Sequence, residues 1–188
     1  MNITSDFATW TASFATTTPT LAEGHSRMVA IKERIENYLI ENGFSKDSIE
    51  FQTLGSHGHI EFMRGGGSRA IGQRFHQIFT VNSFDVNKIR DISQQITELM
   101  AEGIEINSWQ PQCSYTGLND LRIIMLSEAT KDAKARAEEM AKSSGNKIGS
   151  ILSASQGVFQ ITAVNSTEIA DYGINDRSSI EKTQANSL

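Results

Sequence analysis

The chain has 188 residues, of which 38% are apolar and 21% are charged. This length allows one sizeable core or two small units, and the composition is typical of a globular protein. The net charge of −5 argues against a general binder of nucleic acid or of anionic membranes, because both need a basic surface. Cys113 is the only cysteine, so no disulfide forms within the chain, and oxidising and reducing compartments are both compatible with it.

The first elements are a strand and an amphipathic helix. Apolar and hydroxyl residues alternate over residues 7–16, which predicts a strand with one buried face. Thr20 and Glu23 form a capping box that begins a helix, and Gly43 ends it. The apolar stripe predicted for this helix consists of Leu21, Met28, Ile31, Ile35, Tyr38 and Leu39.

A long β-hairpin follows. Residues 49–62 predict a strand that kinks at Gly55 and Gly58, and the glycine-rich segment 64–69 reverses the chain. Residues 72–82 predict the return strand. Both strands are long, so we expect the hairpin to project from the sheet.

A second helix and a further strand complete the first part of the chain. The helix begins near Asp85 and stops at Gly103, and its predicted inward residues are Val86, Ile89, Ile92, Ile96 and Leu99. The strand, residues 104–115, crosses Pro111, which predicts a sheet edge or a bulge there. The resulting order β-α-β-β-α-β is that of a ferredoxin-like sheet.

The last part of the chain begins with one long helix, residues 118–144, which stops at Gly145. Its second half carries a stripe of small residues spaced by four: Ala129, Ala133, Ala137 and Ala141. This spacing keeps the methyl groups on one face, which we expect to lie flush against a sheet. Residues 147–165 are strand-like with a break at Gly157, and residues 166–188 are polar. The predicted fold class is therefore α+β: a ferredoxin-like core with a projecting hairpin, then a long helix and C-terminal strands.

Histidines on the hairpin are candidate metal ligands. His57, His59 and Glu61 are spaced by two, so an unkinked strand directs all three to one face. His76 on the return strand faces His57 if the turn centres near Gly66. Imidazoles and a carboxylate in this arrangement bind zinc or copper. The alternative is a solvated hairpin face on which the glycine kinks scatter the side chains.

The hairpin tip has two interpretations. Arg64, Arg69 and Arg74 flank the glycines and suggest a phosphate or RNA contact, but the acidic total opposes it. We favour a contact between subunits, because the unpaired edges of a long strand pair invite further pairing. The predicted contact residues are Phe62, Met63, Arg64, Arg69 and Ile71.

No catalytic constellation emerges from the sequence. The glycine-rich run at the tip lacks the Gly-Lys-Ser/Thr ending of a phosphate loop. Ser56 and His57 are adjacent, so a strand directs them to opposite faces. Cys113 is interpreted as a small core residue, and Trp10 and Trp109 as core or interface anchors. We therefore predict no catalytic residue and no cofactor; an unrecognised hydrolase is the remaining catalytic alternative.

Residues 128–152 resemble the SIMPL-domain family. The family has a helical D-A-[RK]-x-[RK]-A-E-x-[ML]-A pattern, then a glycine and a short L-G-x-[IVL] strand. The matching residues are Asp132, Ala133, Lys134, Arg136, Ala137, Glu138, Met140, Ala141, Gly145, Ile148, Gly149 and Ile151. A T-V-x-x-x-D-x-x-K pattern agrees as well, at Thr80, Val81, Asp85 and Lys88, and so does the helix-to-strand join at residues 103–107.

The resemblance implies one domain over residues 6–165 and a polar segment, residues 166–188, before a last strand. Family members usually open with a leader and a short strand before the segment that matches Asp6. We expect both to be missing here, so that the sequence is trimmed at both ends. The resemblance also implies a self-associating, non-enzymatic protein of the bacterial periplasm or another extracytoplasmic compartment, linked loosely to oxidative stress. A cytoplasmic location is the alternative. The family offers no established catalytic residues to transfer.

Overall fold

The computed structural model describes residues 2–62, 66–155, 159–163 and 181–186. The strands and helices in chain order are β1 (Asn2–Thr4), β2 (Phe7–Thr18), α1 (Leu21–Glu41), β3 (Ile49–Phe51), β4 (Gly55–Phe62), β5 (Ser68–Ser83), α2 (Val86–Gln95), β6 (Glu105–Ser108), β7 (Gln112–Ser114), α3 (Leu118–Ser143), β8 (Phe159–Ala163) and β9 (Glu181–Asn186). Short 3₁₀-helices span Lys46–Ser48 and Ile96–Glu102. The chain forms two compact units: Asp6–Cys113, and Met1–Ser5 together with Ser114–Leu188.

The unit Asp6–Cys113 is built on a mainly antiparallel sheet. The strand order is β3-β5-β2-β6, with β4 pairing β5 and β7 pairing β2. The segments β2-α1-β3 and β5-α2-β6 interlock in the sheet: β5 lies between β2 and β3, and β2 lies between β5 and β6. This is the predicted ferredoxin-like arrangement. The α+β class is confirmed.

Helices α1 and α2 cover one face of this sheet, where the core lies. Along β2 buried side chains alternate with half-buried ones, as the sequence predicts. Trp10 is fully buried, packs edge-on against Phe79 with ring centroids 5.5 Å apart, and donates its Nε1 hydrogen to Ser108 Oγ at 3.0 Å. Ser108 in turn donates to the carbonyl oxygen of Ser93 on α2. The indole is therefore buried without an unsatisfied donor.

Helix α1 begins with the predicted cap, because Thr20 Oγ1 accepts from the Glu23 N–H at 3.3 Å. Its buried residues are Gly24, Met28, Ile31, Ile35 and Leu39. Leu21, predicted to face inward, is 58% exposed, so that assignment was wrong. Leu21 occupies the first turn, and Gly24, one turn later, makes the contact with the sheet instead.

Two predicted single strands are each observed as two. Residues 49–62 form β3 and β4, and the break falls at residues 52–54, before the glycines proposed as kinks. The stretch 104–115 forms β6 and β7, interrupted around Pro111 as its missing N–H requires. The second predicted helix is observed as α2 followed by the 3₁₀-helix Ile96–Glu102, and it ends at Gly103 with a left-handed φ of 78°.

The second unit contains α3 and a three-stranded sheet of order β1-β9-β8. The expectation that the opening strand is missing was wrong, since Asn2–Thr4 pairs antiparallel with β9. Residues 146–155 form no regular element, so the predicted strand 147–165 is limited, among the described residues, to β8. Most of the polar segment 166–188 lies outside the described residues, and the prediction of one domain over residues 6–165 stays a prediction.

Helix α3 does not bury its alanine stripe. Ala133 and Ala137 are exposed, and Ala129 and Ala141 are half-buried, so the prediction that the stripe lies flush on a sheet was wrong for the described chain. A small cluster lies at the start of the helix, where buried Ile3 and Leu121 meet Tyr115, Leu118 and Met125. Alanine offers little apolar area to hold a helix against a sheet. Ion pairs at helical spacing, such as Arg136 Nη2 to Asp132 Oδ2 at 2.7 Å, line the exposed surface.

At Gly24 a side chain of the sheet packs directly against the backbone of α1. The ring of Phe75, a buried residue of β5, occupies the space that a Cβ atom on Gly24 would need. Gly24→Ala therefore forces the ring to move, and we expect a loss of about 1–3 kcal/mol of unfolding free energy, as overpacked cores show.

Urea denaturation of purified Gly24→Ala tests this prediction. Ser26→Ala, at an exposed position of the same helix, is the matched control and should be neutral or slightly stabilising because alanine favours helix. A Gly24→Ala variant as stable as the wild type would contradict the close packing.

Candidate functional site

The β4–β5 hairpin extends past the end of the sheet. Pairing of β2 with β5 ends at Thr18 opposite Gln73, whereas pairing of β4 with β5 continues to Phe62 opposite Ser68. Gly72 lies at this point with φ of 151°, and a Cβ atom there would stand 2.5 Å from the carbonyl oxygen of Thr18. Only glycine fits so close to the backbone of β2. We call the strand pair beyond it, residues 58–62 and 68–72, the hairpin ribbon.

The structure brings two of the three predicted metal ligands together. Gly55 lies opposite His76 and His57 opposite Arg74, so the two histidines are diagonal neighbours on one face. Their ring centroids are 5.9 Å apart. A side chain at Gly55 would strike the His76 ring, with a Cβ atom 2.5 Å from its Cε1. The absence of a side chain at this position leaves room for the second imidazole.

His59 is further along the same strand, opposite Gly72. The register shifts between His59 and Ile60, because Ile71 of β5 has no partner on β4, and Glu61 then lies opposite Arg69. Among the described residues no group of three or more His, Cys, Asp or Glu side chains is placed to hold a metal ion. The assignment of His57, His59 and His76 as ligands stays a prediction.

The described part of the tip is exposed and partly apolar. Ile60 is 51% exposed and Ile71 is 43% exposed, and Arg69 is also exposed. Met63, Arg64 and the side chain of Phe62 lie outside the described residues, and the predicted subunit contact stays a prediction. Arg74 is not part of the tip, because its guanidinium pairs with Glu105 and also donates to Thr17 Oγ1 at 3.4 Å.

The side chains considered for nucleophilic chemistry are not arranged for it. Ser56 and His57 are consecutive in β4 and so point to opposite faces of the strand. Cys113 is 4% exposed, in agreement with its interpretation as a core residue. None of the described helices is both long and apolar enough to cross a bilayer.

Asp85 and Lys88, part of the T-V-x-x-x-D-x-x-K pattern, have structural roles. Asp85 caps α2 by accepting from the Lys88 N–H at 3.0 Å. The ammonium of Lys88 donates to the carbonyl oxygen of Gly43 at 2.6 Å and lies 4.7 Å from the centroid of the Phe44 ring. It thereby ties the end of α1 to the start of α2. An open depression lies beside these residues, and Phe44, Asp85 and Lys88 are among the residues that line it.

A second cluster of titratable groups joins α1 to the 3₁₀-helix after α2. Arg34 donates two hydrogen bonds to the carboxylate of Glu102, at 2.9 and 2.6 Å. These bonds hold the pKa of Glu102 below its ordinary value and raise the pKa of Arg34. Burial, together with the carboxylate of Glu98, raises the pKa of Tyr38, whose hydroxyl donates to the carbonyl oxygen of Gln95 at 3.3 Å.

The face of the sheet away from α1 and α2 carries hydroxyl, amide and aromatic side chains, among them Trp109, interpreted from the sequence as a core or interface anchor. Ser108 faces inward, and the N–H of Trp109 donates to the carbonyl oxygen of Thr11 at 3.2 Å, which continues the pairing with β2. From strand alternation we infer that the Trp109 side chain points to this outer face. It is 46% exposed, whereas Trp10 is fully buried. The sequence signal was the odd offset of Trp109 from the apolar Ile104 and Ile106, which are five and three positions earlier.

The Arg34–Glu102 pair predicts a pH dependence. Because the folded pKa of Glu102 lies below its unfolded value of about 4.3, its contribution is complete above the unfolded pKa and is lost as pH falls through the folded pKa. Glu102→Gln should therefore lower the urea midpoint at about pH 7 and have little effect at about pH 3. Glu139→Gln, on the exposed surface of α3, is the control. An equal Glu102→Gln effect at both pH values would contradict the ion pair.

One comparison with known proteins identifies a family. The model of the SIMPL family, described as a protein of unknown function (DUF541), matches residues 1–185. No curated protein matches the chain. The match covers the ferredoxin-like sheet, the hairpin and the long helix together, and the chain belongs to the SIMPL family.

Proposed function

We propose that this chain is a non-enzymatic SIMPL-domain protein of the bacterial envelope, outside the cytoplasm, that associates with copies of itself through the hairpin ribbon. The observation that carries the proposal is the ribbon itself. Beyond Gly72 it consists of two strands, and the described strands offer it no third partner.

A two-stranded ribbon with exposed edges is marginally stable alone and gains from further pairing. Strand addition by a second copy would satisfy backbone groups that otherwise bond only to water. It would also remove Ile60 and Ile71 from solvent, where they are 51% and 43% exposed. Both gains act at the same site, which favours assembly through this segment.

The non-enzymatic part of the proposal is supported by the positions of the reactive side chains. Cys113 is buried, and Ser56 and His57 lie on opposite faces of β4. The envelope location and the link to oxidative stress are supported by family resemblance. The single cysteine is compatible with an oxidising compartment.

A second candidate function is a metal-binding module on the same hairpin. It is favoured by the 5.9 Å separation of the His57 and His76 rings on one face. Two imidazoles supply half of a tetrahedral zinc shell, so the remaining ligands would come from His59, from water or from another copy.

Sedimentation of the full chain tests self-association. We expect the wild type to show subunit multiples that increase with protein concentration, and Ile60→Lys with Ile71→Lys to be monomeric, because each new ammonium would have to be desolvated in the contact. Leu21→Lys, an equally exposed apolar residue on α1, is the matched control and should assemble normally.

A wild type that remains monomeric at the highest attainable concentration would overturn the assembly proposal. Native mass spectrometry with added zinc separates the second candidate, since it predicts a bound-metal increment that is lost in His57→Ala with His76→Ala. An unchanged increment in that variant would remove the histidine pair as ligands.

A further inference from the structure

The outer face of the sheet carries a ladder of uncharged hydrogen-bonding groups. On the two central strands Thr9 lies opposite Asn82 and Thr11 opposite Thr80. All four side chains are half-buried. They alternate with the buried residues of β2 and β5, so they all point away from α1 and α2.

Aromatic side chains border this ladder at both ends. Trp109, adjacent to Thr11, is 46% exposed. At the other end Phe7 and Phe84 pack edge to face with centroids 5.2 Å apart, and Phe84 is 74% exposed. Thr11 is four positions after Phe7 along β2, which corresponds to about 13 Å along the strand. A large exposed aromatic is costly in water and commonly marks a binding surface.

The polar groups of the ladder are already oriented. Thr9 Oγ1 donates to the side-chain oxygen of Asn82 at 2.8 Å, which leaves the hydrogens of the Asn82 amide nitrogen for an outside acceptor. The hydroxyl oxygens of Thr11 and Thr80 are 3.5 Å apart, so at most one of the two hydroxyls donates its hydrogen to the other. The surface therefore presents both donors and acceptors without a side chain having to rearrange.

We propose that this surface, formed by Thr9, Thr11, Thr80, Asn82, Phe84 and Trp109, binds a neutral oligosaccharide. A pyranose ring has an apolar face of C–H groups and a rim of hydroxyls. Exposed aromatics stack on the former, and hydroxyl and amide groups bond the latter. The span between the aromatic ends suits an extended chain of a few sugar rings.

The charge and polarity of this face argue against two other classes of ligand, nucleic acid and an apolar protein surface. Nucleic acid requires cationic contacts with phosphate. None of the six surface residues is cationic, and Arg74, farther along the same face, is paired with Glu105. Glu50 lies opposite Thr80 on β3, so its carboxylate borders the surface and repels anions. An apolar protein partner would need a continuous apolar patch, whereas the centre of this surface is polar.

The proposal is independent of assembly through the hairpin ribbon. The ladder lies at the end of β5 nearest Ser83, and the ribbon occupies the end nearest Ser68. Failure of one proposal therefore leaves the other standing.

Isothermal titration calorimetry of the full chain tests the proposal. The probes are the hexasaccharides of β-1,4-linked N-acetylglucosamine and of β-1,4-linked glucose, with oligothymidylate as the anionic comparison. We expect saturable binding of at least one hexasaccharide, tenfold or greater weakening by Trp109→Ala and by Phe84→Ala, and retention of binding by Trp109→Phe, which keeps an aromatic face. Leu21→Ala, which removes an exposed apolar side chain from α1, should bind as the wild type does.

Thermal unfolding of each variant confirms that the fold persists, which we expect because the removed side chains are exposed. The absence of saturable binding by both hexasaccharides would overturn the proposal. Binding that survives Trp109→Ala and Phe84→Ala unchanged would also overturn it, and so would binding of oligothymidylate alone.

Discussion

The pairing of β2 with β5 is the constraint on which the rest of the central unit depends. It runs without a break from Ala8 opposite Ser83 to Thr18 opposite Gln73. Because side chains alternate along a strand, this register places Trp10 and Phe79 together under the helices. The same register collects the hydroxyl and amide groups on the opposite face. If the register shifted by one residue, the buried side chains of one strand would move to the outer face and its outer-face side chains would become buried.

The two ends of this strand pair have different surroundings. At Gly72, where β2 ends, β5 continues with β4 alone, and the hairpin leaves the sheet with apolar residues exposed. At the other end β5 leads directly into α2 through Phe84, and Trp109 follows β6 on the same outer face. Strand β5 thus contributes residues to both the proposed assembly segment and the proposed ligand surface, and the two do not overlap.

Sequence periodicity was sufficient for features that depend on nearest neighbours. The alternation of buried and half-buried side chains in β2, the helix cap at Thr20 and the helix end at Gly103 follow from local chemistry. Local signals of this kind were enough to predict the ferredoxin-like order of strands and helices. The nearness of His57 and His76 followed only in part, because the observed register leaves the two histidines diagonal to each other instead of directly opposite. Features set by distant contacts did not follow. β1 pairs with β9 across nearly the whole chain, and exposed Ala137 shows that spacing alone does not supply a partner face. The outer-face position of Trp109 required knowing the register of β6.

Cross-strand nuclear Overhauser effects between β2 and β5 in isotope-labelled protein test the central claim most directly. The account predicts contacts between Thr11 and Thr80 and between Thr9 and Asn82, as the register requires. Contacts that link Thr11 to Phe79 or to Val81 instead would show a register shifted by one residue. That result would bring the buried aromatic residues to the outer face and contradict both the core and the proposed ligand surface.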